Sequence, residues 1–240
     1  GPHERPAEEG AHMSSTPSTS SSSSASSAGQ ARPAEDRPDV DETRPAETGR
    51  HGWRVVDIVV AAVLAVAVGL IFWLWNTAGY AWGQALGALT PGLSGLANGI
   101  WLLGGPLGGQ VIRKPGAAVF VELVAALVST AIGNQWGITT LTSGLFQGLG
   151  AGLVFALARY RVWSLPVTML AGAGAGLGAW FNELFIGTTP NITLGPAYNA
   201  IYLVTNVLSG AVLAGLLAWL ITRALTRTGA LSRFASGRTA

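Results

Sequence analysis

From Trp53 onward the chain is almost continuously apolar, and this limits the possible folds more than any other feature. Glycine, proline and pairs of basic residues divide the apolar sequence into segments of about 20 residues, the length that a helix needs to cross a bilayer. We predict six such spans, near residues 55–76, 92–112, 116–133, 138–158, 163–186 and 196–224. Because lipid offers the backbone no hydrogen-bonding partner, helices suit these segments. The predicted fold class is all-α, a polytopic membrane protein with a six-transmembrane-helix bundle.

Basic residues fall in alternate connections between the predicted spans. They precede the first span and follow the second, fourth and sixth, at Arg50, Arg54, Arg113, Lys114, Arg159, Arg161, Arg223, Arg227, Arg233 and Arg238. The other three connections, near 77–91, 134–137 and 187–195, contain no Lys or Arg. Cytoplasmic loops of membrane proteins are enriched in basic residues. We therefore expect a multi-pass protein of the plasma membrane with both termini cytoplasmic.

The ends of the chain and two interruptions complete the predicted organisation. Residues 1–50 are rich in Ser, Pro, Ala, Glu and Arg, and we expect a disordered cytoplasmic arm there. The six-helix domain is predicted over 51–227, and 228–240 is predicted to be a basic cytoplasmic tail. The segment Tyr80–Thr90 is predicted to be an extra half-helix or a re-entrant piece, and Gly104-Gly105-Pro106 is expected to kink or break the second span.

Composition excludes several chemistries. The chain contains no cysteine, and its three histidines (His3, His12 and His51) all precede the first span. A thiolate nucleophile, a Ser-His-Asp triad and a histidine metal site are therefore excluded inside the bundle. No GxxxxGK[ST] phosphate-binding loop is present, so the chain alone does not drive transport with ATP. We expect no enzyme activity, no cofactor, no bound metal and no nucleic acid partner.

Glu122 and Glu183 are the two acidic residues that follow Ile58, and both fall inside predicted spans. A carboxylate within the bilayer costs several kcal/mol unless it is compensated. Glu122 lies 11 residues from the predicted outer end of its span, which places it about 16 Å deep. So short a side chain does not reach the interface from there. We expect it to be held by a cationic or hydrogen-donating ligand, or to be protonated when the site is empty. Glu183 is either a ligand residue or a solvated acid at a helix end.

Other polar and aromatic side chains concentrate in the outer halves of the predicted spans. The predicted substrate-binding residues are Glu122, Glu183, Asn98, Trp101, Trp136, Gln147, Trp180, Tyr198, Tyr202 and Asn206. Carboxylates, amides and aromatic faces together suit a small, flat, nitrogen-bearing molecule. The alternatives are that the amides only join helices and that the aromatic residues form an interfacial belt.

Small residues recur on the first span at Ala61, Ala65 and Gly69, with i, i+4, i+8 spacing. Such a row lets a second helix approach closely. We expect it to dock a partner subunit; internal packing is the alternative.

Six stretches resemble the YkoE family, the membrane substrate-binding (S) components of energy-coupling-factor transporters linked to thiamine and its hydroxymethylpyrimidine precursor. They are Gly99-Ile-Trp-Leu-Leu-Gly-Gly, Ile112-Arg-Lys-Pro-Gly-Ala-Ala, Glu122-Leu-Val-Ala-Ala-Leu, Gly133-Asn-Gln-Trp-Gly, Gln147-Gly-Leu-Gly-Ala and Val154-Phe-Ala-Leu. The resemblance covers residues 53–226 and implies a six-helix bundle that binds the vitamin from outside.

The resemblance also implies partners: a transmembrane coupling subunit and cytoplasmic ATPases. S components carry an Ala-x-x-x-Ala motif for the coupling subunit on their first helix, and Ala61 and Ala65 match it. Relatives often have an acid at the places of Ser129 and Gly152, so this chain departs from them there. On this basis Glu122 would pair with a pyrimidine amino group. The rival functions are a stand-alone proton-coupled carrier that uses Glu122 and Glu183, and an assembly protein without transport activity.

Overall fold

The computed structural model describes residues 52–232 and 234–237, and every regular element within these ranges is helical. The predicted arm, 1–50, lies outside the described residues. The α-helices are α1 (Val55–Leu89), α2 (Gly104–Ile112), α3 (Ala117–Ile132), α4 (Thr139–Leu157), α5 (Leu165–Phe185), α6 (Pro196–Ser209) and α7 (Leu217–Arg227). Between them lie a long 3-10 helix (Leu93–Leu102), a short one (Asn191–Leu194) and a π-helical segment (Gly210–Leu216), and a last 3-10 turn covers Ala235–Gly237.

These helices agree with the six predicted spans. The second span consists of the long 3-10 helix followed by α2, and the sixth is a continuous helix from Pro196 to Arg227 that includes the π-helical segment. Within the described residues, three helices are long and apolar enough to cross a membrane by length and composition, and a shorter apolar helix accompanies them: Val55–Leu89, Thr139–Leu157, Pro196–Arg227 and Ala117–Ile132.

Helix α1 corrects one boundary. The segment Tyr80–Thr90 is neither a separate half-helix nor re-entrant, because α1 continues to Leu89 over 35 residues. At 1.5 Å per residue it is about 52 Å long, well beyond a hydrocarbon core of about 30 Å. Its second half contacts the long 3-10 helix; for example, Trp75 Nε1 donates to the Ala97 carbonyl oxygen at 2.9 Å.

The expected break in the second span is present and falls at Leu103, where the 3-10 helix gives way to α2. Pro106 then occupies the first turn of α2, where a missing N–H is tolerated. A 3-10 helix of ten residues is uncommon. The α6 side supports it: Ser209 Oγ accepts from Gly99 N and donates to the Leu96 carbonyl oxygen, both at 2.8 Å.

The two ends of the bundle differ in charge. We call one the basic end, because its connections carry Arg54, Arg113, Lys114, Arg159, Arg161, Arg223 and Arg227. The other is the uncharged end, formed by connections 90–92, 133–138 and 186–195, which contain no charged residue. Every described Lys or Arg therefore lies at the basic end.

The basic end is closed by packing and by an ion-pair cluster. Asp57, which is 1% exposed, lies 2.6 Å from Lys114 Nζ and 3.0 Å from an Arg54 guanidinium nitrogen. Residues after α7 cover the same end, because Leu231 and Phe234 are buried in the core formed by α1, α2 and α3. Ser236 Oγ also donates to the Val111 carbonyl oxygen at 3.0 Å. This part of the predicted tail thus packs as part of the bundle.

The row of small residues on α1 is also internal. Ala61 and Ala65 are fully buried in the same core. A Cβ added to Gly69 would lie 2.8 Å from the Ala125 carbonyl oxygen of α3. In this structure the row brings α1 against α3 and presents no free face, which agrees with the alternative of internal packing; docking of a partner subunit by this row stays a prediction.

Candidate functional site

A cavity of about 850 Å³ occupies the half of the bundle toward the uncharged end. Its lining comes from the second half of α1, the long 3-10 helix, α3, α4, α5 and α6. Eight of the ten predicted substrate-binding residues line it: Asn98, Trp101, Glu122, Trp136, Gln147, Glu183, Tyr198 and Tyr202. Its volume falls within the range of about 300–1,000 Å³ that is usual for small-molecule sites.

The remaining two predicted residues lie behind the lining. Asn206 is fully buried, and its Oδ1 accepts a hydrogen bond from Asn98 Nδ2 at 2.9 Å. Trp180 Nε1 donates to the Asn199 carbonyl oxygen at 3.0 Å. Asn206 therefore orients a lining residue, whereas Trp180 joins α5 to α6.

Glu122 lies at the deep end of the cavity and is fully buried. Its Oε2 accepts from the backbone N–H of Gly105 at 2.5 Å. Gly105 is the second residue of α2, so the free N–H groups and the positive dipole end of that helix face the carboxylate. The break in the second span thus provides a donor for the buried acid.

Gln147 of α4 contacts the other oxygen of Glu122. With its amide oriented so that both of its atoms are satisfied, Gln147 Nε2 donates to Glu122 Oε1 and to the Trp101 carbonyl oxygen, each at 3.0 Å. Its Oε1 then accepts from Ser143 Oγ at 2.6 Å. Both oxygens of Glu122 therefore have donors within the protein.

Glycines allow three helices to converge on Glu122. A Cβ added to Gly104 would lie 2.8 Å from Glu122 Oε2, and one added to Gly148 would lie 2.7 Å from the Cα atom of Val119 on α3. Real Cβ atoms do not approach other atoms so closely. A side chain at either position would therefore separate α2 or α4 from the acid.

Trp101 and Trp136 form an aromatic side of the cavity, with centroids 5.4 Å apart and planes at 84°. Trp101 Nε1 donates to Asn76 Oδ1 at 2.9 Å, and Asn76 Nδ2 donates to Ser129 Oγ at 3.1 Å. Tyr80 makes a further edge contact with Trp136, at 6.1 Å between centroids. These contacts fix the orientation of the Trp101 ring.

Tyr198 and Tyr202 of α6 also line the cavity, and their rings stack at 5.6 Å with an angle of 22°. The Tyr202 hydroxyl accepts from Asn98 Nδ2 at 2.8 Å. Glu183 also lines the cavity, near the end of α5. Among the described residues, its one side-chain hydrogen bond comes from Asn182 Nδ2 at a long 3.4 Å.

Several lining residues were not predicted, and Asn76 and Ser129 are the most informative. Asn76 was placed at the end of the predicted first span, where its amide could equally face solvent. Ser129 stands at a position where relatives often have an acid, and it was not predicted to belong to the site. It nevertheless lines the cavity, and its hydroxyl accepts a hydrogen bond from Asn76. Gly152, the other position without an acid, is not among the lining residues. Tyr80 and Gln84 fall in the segment whose structure was predicted incorrectly.

The cavity is lined by carboxyl groups and by no basic side chain. Glu122 and Glu183 are the charged side chains among its lining residues, and no Lys or Arg accompanies them. In the part of the chain that the structure describes, no three His, Cys, Asp or Glu side chains form a group able to hold a metal ion. The arrangement suits an aromatic molecule with hydrogen-bond donors or a positive charge.

Comparison with known proteins gives three matches. Residues 56–178 match the model of a family described as the permease component of an ABC-type cobalt transport system. Over 186 residues the chain is 36% identical to a Bacillus subtilis (strain 168) protein named as the HMP/thiamine permease YkoE, which covers 78% of this chain and 91% of that protein. A crystal structure of an S component of an ECF transporter superposes with a TM-score of 0.71 and 34% identity, covering 78% of this chain and 93% of that one.

Proposed function

Because the chain belongs to the YkoE family of S components of energy-coupling-factor (ECF) transporters, we propose that its cavity captures thiamine or hydroxymethylpyrimidine, the pyrimidine precursor of thiamine. The resemblance predicted from the sequence is confirmed. The protein is a multi-pass membrane subunit that binds a transport substrate, and it is not an enzyme. One observation carries the proposed ligand class: a large cavity that combines two carboxylates with aromatic rings and holds no basic side chain.

The polar edge of a pyrimidine fits the deep end of the cavity. Its amino group would donate to Glu122, which is the most buried polar residue of the lining and lies beside Gln147. The ring would pack against Trp101 and Trp136, whose orientations are already fixed by neighbouring side chains. Binding then requires little reordering of these rings, which favours affinity.

The direction of capture follows from charge. Basic residues favour the cytoplasmic side, so the basic end would face the cytoplasm and the cavity would open outward. Transport across the membrane would then depend on a transmembrane coupling subunit and cytoplasmic ATPases, as the membership of the ECF class implies.

A cobalt ion fits the cavity poorly, although the matched family is described as a cobalt permease component. Transition metals favour imidazole and thiolate ligands, and the lining residues include neither His nor Cys. The lining thus supports an organic ligand.

Tryptophan fluorescence of the purified protein in detergent tests the proposal. Thiamine and hydroxymethylpyrimidine are titrated separately, with riboflavin as a ligand of different shape. We expect saturable quenching by a pyrimidine, because two tryptophans line the cavity. Absence of saturation with folded protein would contradict the proposed ligand. Uptake by this subunit alone in proteoliposomes would contradict its dependence on partners.

A further inference from the structure

Backbone strain in the described residues concentrates at the basic end of the bundle. The non-glycine residues with positive φ in that part of the chain are Arg113 at 57°, Arg159 at 55° and Tyr160 at 52°. This left-handed conformation is uncommon for such residues, and it persists where the surrounding structure holds it. Arg113 begins the connection between α2 and α3, and the other two lie in the connection between α4 and α5. Strain of this kind is often found at binding surfaces.

Trp163 joins these two connections. Its indole ring lies against the Arg113 guanidinium, whose central carbon is 5.3 Å from the ring centroid. The Tyr160 ring lies beside it at 6.4 Å between centroids, and the Trp163 carbonyl oxygen accepts from Gln110 Nε2 of α2 at 3.1 Å. Tryptophan and tyrosine favour the headgroup level of a membrane. We call the result the Trp163 surface, formed by Arg113 and residues 159–163.

Two arginines of the Trp163 surface have donors that the chain does not use. Arg159 and Arg161 are exposed, and within the described residues neither makes a side-chain hydrogen bond or an ion pair. The acid at this end, Asp57, is paired with Lys114 and Arg54 instead. The other acids of the described residues line the cavity. The two guanidinium groups therefore remain available to an anion from outside the chain.

An apolar row on α4 leads away from these arginines. Four leucines repeat along it every four residues, and all are exposed: Leu145, Leu149, Leu153 and Leu157. At 1.5 Å per residue the row covers about 18 Å, slightly more than half of a hydrocarbon core of about 30 Å. Because Leu157 lies two residues before Arg159, the row begins beside the Trp163 surface. A molecule with an anionic head and an apolar chain matches both features.

We propose that the Trp163 surface binds the headgroup of an anionic phospholipid, with an acyl chain of the same lipid along the leucine row. The phosphate would accept from Arg159 and Arg161, because guanidinium groups present several N–H donors in one plane. An acidic segment of a partner protein would also match the arginines, but it would not use the leucine row. This lipid site lies at the opposite end of the bundle from the cavity, so it is independent of the ligand that the cavity takes.

Lipid binding to the full chain in detergent tests the site. Native mass spectrometry measures the dissociation constants of phosphatidylglycerol, which is anionic, and of phosphatidylcholine with the same acyl chains, which has no net charge. One double variant combines Arg159→Gln with Arg161→Gln, and a second places lysine at the same two positions. The matched control combines Arg223→Gln with Arg227→Gln, which removes the same charge from α7 at the same end. Circular dichroism of each variant confirms its helical content.

We expect the wild type to bind phosphatidylglycerol about thirtyfold more tightly than phosphatidylcholine, as two arginines near an anionic headgroup provide. Glutamine at positions 159 and 161 should abolish this preference, and lysine should retain most of it. The α7 control should keep the preference within twofold of the wild type. Excess glycerol phosphate, which has the phosphate but no acyl chain, should not displace the lipid.

Equal affinities of the wild type for the two lipids would overturn the inference, and so would a preference that survives glutamine at 159 and 161. An equal loss in the α7 control would indicate diffuse attraction to the whole basic end, which also contradicts a site at Trp163. Displacement by glycerol phosphate would identify a site for a free phosphate group, and displacement by hexaglutamate would assign the surface to an acidic protein partner; either result would overturn the lipid assignment.

Discussion

The basic and uncharged ends of the bundle each bury an acid, but they compensate it differently. At the basic end, Asp57 is ion-paired with Lys114 and Arg54, and the segment after α7 covers the core beside it. Toward the uncharged end, Glu122 accepts from a backbone N–H and from an amide, and a cavity opens above it. An acid paired with two cations holds the fold together, whereas an acid without a cation leaves room for a ligand.

Packing follows the same division. The basic end is filled by small and aliphatic residues such as Ala61, Ala65 and Val111, which are fully buried. Toward the uncharged end the bundle instead contains the cavity, whose aromatic and amide side chains are hydrogen-bonded to one another. We therefore expect substitutions at the basic end to change stability without changing ligand affinity, and substitutions around the cavity to change affinity.

The largest effect is expected at the basic end. Asp57→Asn removes the charge that compensates Lys114, whose side chain is only 13% exposed. Loss of one partner of a buried ion pair costs about 3 kcal/mol. The free energy of unfolding, measured by titration with sodium dodecyl sulfate, should fall by about that amount. Arg54→Gln is the control, since Arg54 is 49% exposed and its ion pair is screened by solvent, so its loss should cost much less than the loss of Asp57. Weaker ligand binding by folded Asp57→Asn would contradict the expectation that substitutions at the basic end change stability without changing ligand affinity.

A smaller loss of stability, accompanied by a loss of affinity, is expected for Gly148→Ala. Its Cβ would lie 2.7 Å from Val119 Cα and 3.2 Å from Glu122 Cβ, which forces α4 away from α3. Overpacking of this kind costs about 1–3 kcal/mol. Gly152→Ala is a matched control one turn further along α4, because its Cβ would meet Val119 Cγ2 at an ordinary 3.7 Å. Equal ligand affinities in the two variants would contradict the placement of the site.

Trp101→Phe tests how much the orientation of an aromatic ring in the cavity contributes to ligand affinity. The phenyl ring keeps an aromatic face but no longer donates to Asn76, which leaves a buried oxygen without its partner. We expect ligand affinity to fall by about fivefold, equivalent to about 1 kcal/mol. Trp219→Phe is the control, since Trp219 stacks with Arg223 at the basic end. Affinity should be unchanged in that variant, as measured by isothermal titration calorimetry.

The smallest effect is expected for Ser236→Ala. This variant removes the hydrogen bond from Ser236 Oγ to the Val111 carbonyl oxygen, which is worth about 1 kcal/mol or less. The segment after α7 should then exchange its amide hydrogens faster, while ligand affinity remains the same. Unchanged hydrogen exchange in residues 231–236 would show that this bond does not hold the segment in place.

The six spans and the depth of Glu122 could be predicted from the sequence because the thickness of the bilayer sets the length of a spanning helix. A spanning helix needs an apolar length, and an acid at the middle of such a length has few alternatives to a functional role. The direction in which residues face was less predictable. The spacing of Ala61 and Ala65 indicates that another helix approaches closely, but it does not show which helix, and the partner is α3 of the same chain.

The hydrogen-bond partners of the residues that line the cavity could not be predicted from the sequence. Asn76 and Trp101 are 25 residues apart, and their contact depends on how α1 packs against the 3-10 helix. The 3-10 form of that helix likewise depends on partners such as Ser209, which are distant in sequence. Trp180 was predicted to line the site from its depth alone, yet it faces a backbone carbonyl of α6.

The size of the cavity has a consequence for the thermodynamics of binding. A space of about 850 Å³ is large enough to hold many water molecules. We expect a heterocyclic ligand to displace only part of this water and the remaining molecules to bridge its polar atoms to the amides and hydroxyls of the lining. Water that stays in the cavity therefore contributes to ligand recognition. Burial of apolar surface makes the heat capacity change of binding negative, and we expect its magnitude to be smaller than full burial of the aromatic rings would give.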